Sequence, residues 1–316
     1  MKISEDMQQK LICPLTKGSL KKKDEYLESV IDSAIRYPII NGIPVLINDE
    51  KSLFSIADFE QKTSTTFDLE KYKTSKIRKI LNALIPDISA NIKAEKNYKK
   101  LREILPDNSK ILIIGGSVRG EGMDAIYSNE SFDIVGSDVS FGSCTTLICD
   151  AHDIPFEDEV FDCVIIQAVL EHVLEPQRCV DEAYRVLKHS GLVYAETAFM
   201  QQVHMKQYDF TRYTHLGHRR LFRHFEEISS GPVCGPGMAL AWAYSYFLKS
   251  FTSQRTLSRF LTVFTRMTSF FFKYFDYYLI DKAGSYDAAS GLFFMGKKSS
   301  TILSDRDLLK QFKGKK

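Results

Sequence analysis

The sequence predicts an α/β protein: a doubly wound, mostly parallel sheet with a small N-terminal β-rich module and a helical insertion before the last strand. Short apolar runs alternate with helical stretches through residues 109–200, which is typical of a parallel sheet covered by helices. Residues 1–50 contain short β-type runs separated by turn residues. A long aromatic block separates the last two strand-like runs, 226–229 and 291–295.

The composition is that of a globular protein. Of the 316 residues, 44% are apolar and 26% are charged, which excludes a disordered or collagen-like chain. With 42 basic and 40 acidic residues the net charge is +2, so we expect no nucleic-acid partner. The six cysteines include no C-x-x-C pair, and no apolar run is long enough to span a membrane. These features predict a cytoplasmic protein.

The front of the chain divides into two regions. In residues 1–50, strands are expected at 11–13, 37–40 and 44–47, and Asn41-Gly42 predicts a hairpin turn because both residues tolerate positive φ. Residues 51–108 are polar and are predicted to be a helical linker or cap. Their helical periodicity comes from Ile77, Ile80, Leu81 and Leu84, and again from Tyr98, Leu101, Ile104 and Leu105.

The region 109–235 carries the alternating pattern. Strands are expected at 110–114, 132–135, 145–149, 161–167 and 192–197, and helices at 121–127 and 177–187. Residues 236–284 form the aromatic helical insertion, and residues 285–316 contain the last strand and a C-terminal tail.

A glycine-rich turn follows the first strand of this region. Residues 115–122 read Gly-Gly-Ser-Val-Arg-Gly-Glu-Gly, and glycines let a backbone approach a ligand closely at the start of a helix. Asp138 lies 23 residues after Gly115, where an acid can accept both hydroxyls of a ribose. A nicotinamide dinucleotide and S-adenosylmethionine fit this pattern equally well. The alternative is a tight turn without a ligand, with Asp138 as a cap or turn residue.

The segments that follow distinguish the two cofactors. They read D-A-H-D-I-P-F at 150–156, F-D-C-V at 161–164, L-E-H-V at 170–173 and E-A-Y-R-V-L-K at 182–188. In this order and spacing, over about 90 residues, the chain resembles the class I S-adenosylmethionine-dependent methyltransferases, specifically the type-11 group. The resemblance implies a Rossmann-like fold whose last two strands form a hairpin with an antiparallel edge strand. It also implies S-adenosylmethionine as the cofactor.

The resemblance implies a role for each residue of the cofactor site. The glycines would lie under the methionine part, Asp138 would bind the ribose, and Asp150 and Ala151 would face the adenine edge. Gln167 would approach the methionine amino group. The full set is Gly115, Gly116, Ser117, Gly120, Asp138, Val139, Asp150, Ala151, Gln167 and Ala168.

The chain departs from the family pattern at three points. Ile113 stands where an acid often precedes the glycines, and Ser117 replaces the second glycine of the usual loop. The connection between the second and third strands is reduced to residues 140–144. The expected result is a changed loop geometry and a more open adenine side.

The stretch that follows the fifth strand, 199–215, is expected to face the ligand crevice of the sheet. It predicts His204, Tyr208 and Asp209 as catalytic residues, with His204 as general base. His204, Tyr208 and Arg212 are predicted to bind the acceptor.

The other charged residues near this stretch have more than one interpretation. Arg219–Arg223 are expected on the solvated face of a helix that begins near Leu216. Glu171-His172 is either an acid–base pair or a helix start at which the histidine caps or packs. The histidines between 204 and 224 lack the spacing of metal ligands, so no metal is expected.

The N-terminal module has a resemblance of its own. L-I-C-P-L-T-K-G-S-L at 11–20 and Y-P-I-I-N-G-I-P-V-L at 37–46 look like the small zinc-ribbon-like activator subunit of RNA and protein methyltransferases, and like a related uncharacterised bacterial family. Of the zinc cysteines only Cys13 remains, and Thr16 stands where C-x-x-C needs its second thiol. The resemblance therefore implies a metal-free module that serves as a built-in activator or lid.

The aromatic block, 238–278, has a basic character. No acid occurs from Ile228 to Phe275, and a helix would place Arg259, Arg266 and Lys273 opposite Phe260, Phe264 and Phe271. Such helices lie on membrane surfaces, here the inner face, or receive lipid-linked acceptors. The alternative is a subdomain that buries its apolar faces against the catalytic domain, or in a homodimer.

Together these features predict an S-adenosylmethionine-dependent methyltransferase. The favoured acceptor is a hydroxyl of a saccharide or of a lipid-linked saccharide. The alternatives are an RNA or protein methyltransferase with a built-in activator module, and a catalytically inactive scaffold that binds S-adenosylmethionine.

Overall fold

The computed structural model describes residues 1–61, 65–66 and 85–315. A short helix, α1 (Glu5–Gln8), precedes a four-stranded antiparallel sheet. Its strands are β1 (Leu20–Lys23), β2 (Tyr26–Ser29), β3 (Arg36–Ile40) and β4 (Ile43–Pro44). Asn41 and Gly42 join β3 to β4 with φ angles of 53° and 78°, as the Asn-Gly turn predicts.

The strand expected at 11–13 is wrong. Leu11 and Ile12 form isolated bridges to Phe156 and Ser19, while β1 finds its ladder partner in β2, which the sequence did not suggest. The strand expected at 44–47 is shortened to β4, because the chain then leaves the small sheet and Val45 bridges to Ile148.

The predicted doubly wound sheet is confirmed. Seven strands lie in the order β10-β11-β9-β8-β5-β6-β7. They are β5 (Lys110–Ile114), β6 (Asp133–Asp138), β7 (Leu147–Ile148), β8 (Phe161–Gln167), β9 (Leu187–Ala198), β10 (Phe225–Cys234) and β11 (Gly291–Lys298). β5 to β9 are parallel, and β11 is antiparallel to both of its neighbours, β9 and β10.

The position of the antiparallel strand corrects the expectation. β11 lies one place inside the sheet, and the edge strand is β10. The first six residues of β11 are buried, and an inner position covers them on both sides. β10 is longer than expected because it pairs along the whole of β11, and β9 is longer because its first residue, Leu187, already pairs with Phe161 of β8.

Helices cover both faces of the sheet. α3 (Ala94–Ile104) and α4 (Asp124–Tyr127) pack on Ile111 and Ile113, whereas α5 (Pro176–Val186) packs on the face that carries Leu112 and Ile114. Successive side chains of β5 point to opposite faces of the sheet, so this strand contributes to two apolar layers. Before α3 the chain forms α2 (Ile56–Glu60). Ile77, Ile80, Leu81 and Leu84, which predict a further linker helix, lie outside the described residues.

The N-terminal module is built onto the edge of the large sheet. Leu46 N–H donates to the carbonyl of Ile148 at 2.8 Å, beside the bridge of Val45. Met7 and Leu46 share one apolar cluster with Phe156 and the strands behind it. The module therefore has no core separate from that of the sheet.

The insertion follows α6 (His215–Leu221) and β10, and it consists of four helices. They are α7 (Pro236–Lys249), α8 (Arg255–Ser269), α9 (Phe272–Leu279) and α10 (Ala283–Ala288). After β11 the chain ends with α11 (Asp305–Lys310). Asp276 of α9 is fully buried and accepts the N–H groups of Gly237 and Met238 at 2.7 and 2.9 Å. It therefore caps the start of α7 across the helix pair.

The outer side of the insertion is apolar and exposed. α8 contacts α7 through small polar residues, with Thr265 Oγ1 donating to Ser245 Oγ at 3.0 Å. The large side chains of α8 and α9 instead point outward; the exposed ones are Leu257, Phe260, Val263, Phe264, Met267, Tyr274, Phe275, Tyr277 and Tyr278. The alternative expectation, that the insertion buries its apolar faces against the catalytic domain, is therefore wrong for these side chains of α8 and α9. Among the described helices, none is long and apolar enough to cross a membrane.

Replacing Asp276 with alanine leaves two buried N–H groups without their acceptor. We expect this variant to lose about 1–2 kcal/mol of unfolding free energy, measured by chemical denaturation. Asp281→Ala is the control, because that carboxylate is 79% exposed and pairs only with Lys93 among the described residues. Equal losses in the two variants would contradict the capping role.

Candidate active site

A cavity of about 510 Å³ opens at the carboxyl ends of β5, β6, β8 and β9. Loops at this edge of a parallel sheet converge on one crevice. Of the predicted site residues, it is lined by Gly115, Ser117, Gly120, Asp138, Val139, Asp150, Ala151, Gln167, Ala168, His204 and Tyr208. Gly116, Asp209 and Arg212 are the predicted residues that do not line it.

The glycine turn brings two strands into backbone contact. Gly115 has φ of 76°, and Gly116 N–H donates to the carbonyl of Ser137 at 2.9 Å. A Cβ on Gly116 would lie 3.0 Å from the Cα of Gly136. Gly116 therefore acts below the cavity, where it lets β5 and β6 meet.

Asp138 ends β6 and faces the cavity next to this turn. Its Oδ2 accepts the N–H of Ser117 at 3.0 Å. Burial raises the pKa of the Asp138 carboxyl to about 6, against the opposing effect of the Ser117 hydrogen bonds. Ser117 thus holds the predicted ribose carboxylate in place through its backbone N–H. This contact does not require a glycine at position 117.

Asp150 lies on the cavity wall, but both of its oxygens have partners. Oδ2 accepts the hydroxyl of Ser52 at 2.6 Å, and Oδ1 accepts the backbone N–H and ring Nδ1 of His152 at 3.0 and 2.6 Å. These hydrogen bonds hold the pKa of Asp150 below its usual value despite burial. Asp150 is therefore a joint between the N-terminal region and the sheet, and a direct bond from it to an adenine amine does not fit this arrangement.

Gln167 leads to an acid that sequence reasoning missed. Its Nε2 donates to the carbonyl of Glu121 at 3.1 Å and to Glu196 Oε2 at 3.0 Å. Glu196 also accepts from Asn91 and from the hydroxyl of Tyr194, and burial raises its pKa. The available signal in the sequence was the position of Glu196, an acid within the apolar run of β9.

The N-terminal region supplies further missed residues. Leu53 and Phe54 line the cavity, and the ring of Phe54 lies 5.9 Å from that of Tyr208. Nothing in the local pattern of residues 52–54 marks them as a cavity wall, because they reach it only when the module joins the sheet edge.

The charged side chains on the wall are of one sign. Five carboxylates line the cavity: Glu121, Asp138, Asp150, Glu171 and Glu196. Within the described part of the chain, no lysine or arginine lines it. This wall favours a ligand that carries positive charge and disfavours a diphosphate.

The loop after β9 corrects two predicted roles. Asp209 accepts the N–H of His204 at 2.8 Å and both ends of the Arg212 guanidinium at 2.5 and 2.9 Å. These partners lower the pKa of Asp209 to about 2. Arg212 also donates to the carbonyls of Gln201, Gln202 and Thr211. Both residues therefore stabilise the loop, and direct contact with an acceptor does not fit them.

His204 and Tyr208 reach the cavity from this loop. The His204 ring lies 4.8 Å from that of His172 and 6.0 Å from that of Trp242 in α7. Tyr246, one turn further along α7, donates its hydroxyl to the carbonyl of Val203. The insertion thus packs against the loop that carries His204.

Glu171 and His172 lie on the wall beside His204. Burial raises the pKa of Glu171 to about 7 and lowers that of His172 to about 4. His172 Nδ1 is 2.7 Å from the carbonyl of Tyr208, to which it donates. The histidine therefore positions the loop after β9, and its neutral ring remains in the cavity.

The expected solvated face at 219–223 is wrong for Arg219. This side chain is 3% exposed and donates to the carbonyls of Phe222 and Phe225 at 2.8 and 3.0 Å. Glu227 pairs with it at 3.2 Å. Arg220 does lie at the surface, where it pairs with Asp305.

Comparison with known proteins identifies the region around the cavity. A family described as a methyltransferase domain matches residues 127–195, from the end of α4 into β9. The chain contains a methyltransferase domain. S-adenosylmethionine is the cofactor that this domain indicates, as the sequence predicts.

Individual relatives match short segments. A demethylmenaquinone methyltransferase of Clavibacter sepedonicus is 48% identical over 44 residues, which are 14% of this chain and 18% of that protein. The chain spans about a fifth of the length of the first curated relatives that it matches. UPF0434 proteins of two Acidovorax strains are 42% identical over 52 residues, 16% of this chain and 87% of theirs. Over this segment the chain belongs to the UPF0434 family.

Among solved structures, a complex of the Haloferax volcanii Trm112 methyltransferase activator with a methyltransferase is similar to this chain. The TM-score is 0.42 at 16% identity, over 68% of this chain and 92% of that one.

The cavity of the methyltransferase domain fits an adenosyl cofactor in three respects. Its volume is in the range of small-molecule sites. A Cβ on Gly120 would lie 1.7 Å from Gln167 Oε1, so the glycine leaves room for the Gln167 side chain on this part of the wall. Asp138 presents a carboxylate, and the wall lacks cations that would compete for it within the described residues.

The affinity for S-adenosylmethionine is expected to depend on the charge of Asp138. Because its pKa lies near 6, the carboxyl is protonated below this pH and becomes a weaker acceptor for two hydroxyls. We expect affinity, measured by calorimetry, to rise by about tenfold between pH 5 and pH 7.5. Asp138→Asn should bind weakly with a flatter pH profile. An unchanged affinity in this variant would remove Asp138 from the site.

Proposed function

We propose that the chain is an S-adenosylmethionine-dependent methyltransferase that acts on a hydroxyl of a saccharide or a lipid-linked saccharide. The observation that carries the proposal is the cavity wall with five carboxylates, on which no described lysine or arginine lies. S-adenosylmethionine brings a sulfonium and an ammonium group, whereas a nicotinamide dinucleotide brings two phosphate charges. The glycine turn alone is compatible with both cofactors, whereas the charge of the wall favours S-adenosylmethionine.

The pKa values of the wall support this assignment. Burial raises the pKa of Asp138, Glu171 and Glu196, so the loss of hydration outweighs the groups that favour their ionised forms. A cationic ligand would supply compensating positive charge inside a low-dielectric cavity, where the attraction is strong.

The chain's residues would position two reactants and exclude water. When bound, S-adenosylmethionine supplies an electrophilic methyl group, which leaves its sulfur as the acceptor oxygen forms the new bond. Orientation alone accounts for large rate factors in such displacements. The ring of His204 faces the cavity, and its Nε2 would take the hydroxyl proton as general base.

The N-terminal region supports a role as built-in activator or lid. It contributes Leu53 and Phe54 to the cavity wall, and Ser52 holds Asp150. Removal of this region would open the cavity on one side and expose the edge of the sheet. The activity of an isolated methyltransferase domain would thus depend on it.

The exposed side of α8 and α9 supports contact with an anionic membrane surface. Aromatic side chains such as Phe260 and Tyr278 are 64% and 71% exposed, and α8 contains Arg259 and Arg266 without an acid. Aromatic rings enter the headgroup boundary while basic groups bind anionic lipids. A lipid-linked acceptor would then meet the cavity from this side.

Calorimetry with S-adenosylmethionine and NAD⁺, followed by an acceptor screen that detects S-adenosylhomocysteine, tests the proposed activity. We expect binding of S-adenosylmethionine, no binding of NAD⁺, and turnover on saccharide acceptors. Turnover on RNA or protein alone would favour the alternative acceptors. Binding without turnover on any acceptor would leave the inactive scaffold.

Flotation with vesicles that contain anionic phospholipid tests the membrane surface. We expect the wild type to float and the Arg259/Arg266/Lys273→Glu variant to lose most of its binding, by about 1 kcal/mol per charge removed. Lys96/Lys100/Arg102→Glu on the exposed side of α3 changes the charge equally and should float. Equal recovery of the two variants with the vesicles would contradict the proposal. A stable homodimer that does not float would indicate that the apolar face of α8 and α9 contacts a second copy of the chain.

A further inference from the structure

We propose that Glu171, His172 and His204 bind one divalent transition-metal cation at the acceptor side of the cavity. Each side chain offers one ligand atom, and these atoms lie within 4.8 Å of one another. Two ligand atoms that each lie about 2.1 Å from one ion are at most about 4.2 Å apart. Movements of the side chains by less than about 1 Å would therefore bring all three atoms to coordination distance. His172 Nε2 already lies 4.0 Å from Glu171 Oε1.

Glu171 is the part of the cluster that requires an explanation. Its side chain is 1% exposed, and Oε2 has no hydrogen-bond partner among the described residues. A buried carboxylate oxygen without a partner is unfavourable, so a cation is the kind of occupant that would stabilise it. Its backbone carbonyl accepts Phe210 N–H at 2.8 Å, which ties this residue to the loop of His204.

Both histidines are oriented as metal ligands are. His172 Nδ1 lies 2.7 Å from the carbonyl of Tyr208, and His204 Nδ1 lies 3.1 Å from that of Gln202. A carbonyl only accepts, so each Nδ1 carries the proton and each Nε2 keeps a lone pair. Asp209 Oδ2, 3.4 Å from His204 Nδ1, adds a carboxylate behind the second ring. Such outer partners fix the tautomer of metal-binding imidazoles.

The donor set indicates the kind of ion. Two imidazoles and one carboxylate suit zinc, manganese or iron, whereas magnesium and calcium prefer oxygen ligands. Three protein ligands leave positions open, and all three residues line the cavity. The sequence expectation of no metal was based on the histidines between 204 and 224 alone, and it overlooked the pair at 171–172.

The role of the ion rests on the proposed function. An ion at this point would bind the acceptor hydroxyl and lower its pKa, so that its proton passes to solvent water as the O–C bond forms and the S–C bond breaks. His204 would then act as a ligand and not as the general base. With vicinal hydroxyls, as in a saccharide, two open positions would select the acceptor.

Titration of chelator-treated protein with Mn²⁺, followed by the electron paramagnetic resonance signal of the free ion, tests the site. We expect one ion per chain, with affinity reduced about tenfold or more in His204→Ala and Glu171→Gln. His189→Ala is the control, because this ring is 88% exposed and pairs with Glu159, which is not part of the cluster. No binding, or equal binding in all variants, overturns the proposal.

Two measurements keep the outcome independent of folding and of the proposed function. His204 is partly exposed, so His204→Ala decides the question if the buried Glu171→Gln variant does not fold. Calorimetry with S-adenosylmethionine on the same preparations should show that His204→Ala still binds the cofactor and is therefore folded. Mn²⁺ binding without cofactor binding would refute the methyltransferase activity but not the metal site. Cofactor binding without Mn²⁺ binding would refute the metal site alone.

Discussion

The contact between Gly116 and Gly136 is the constraint on which the site depends. A Cβ on Gly116 would lie 3.0 Å from the Cα of Gly136, and one on Gly136 would lie 2.3 Å from the carbonyl oxygen of Cys144. Only glycines allow the ends of β5 and β6 and the short following connection to meet here. This approach places the Ser117 N–H on Asp138, and it opens the cavity above.

The electrostatics of the cavity follow from what surrounds it. Two arginines are engaged away from the wall: Arg212 within its own loop, and Arg219 with carbonyls at the end of α6. The carboxylates remain on the wall without them, and burial raises the pKa of three. One wall thus suits a cationic cofactor at the glycine turn and a metal cation beside Glu171, which makes the two proposals consistent with each other.

Much of the sheet could be predicted from the sequence because apolar runs of strand length are local signals. β8 has the predicted bounds, 161–167, and the glycine turn and Asp138 lie where the motif places them. The partners of charged side chains could not be predicted. Asp209 and Arg212 satisfy each other, and Asp150 is held by Ser52, 98 residues away in the sequence. Glu196 and Phe54 reach the cavity only through long-range packing.

The proposed activity requires that an adenosyl sulfonium compound binds on the glycine turn with its ribose at Asp138. A crystal structure of the complex with S-adenosylhomocysteine tests it most directly. We expect the ribose hydroxyls within hydrogen-bond distance of the Asp138 carboxylate and the amino acid part beside Gly115 and Gln167. Density for the compound elsewhere, or a ribose turned away from Asp138, would contradict it.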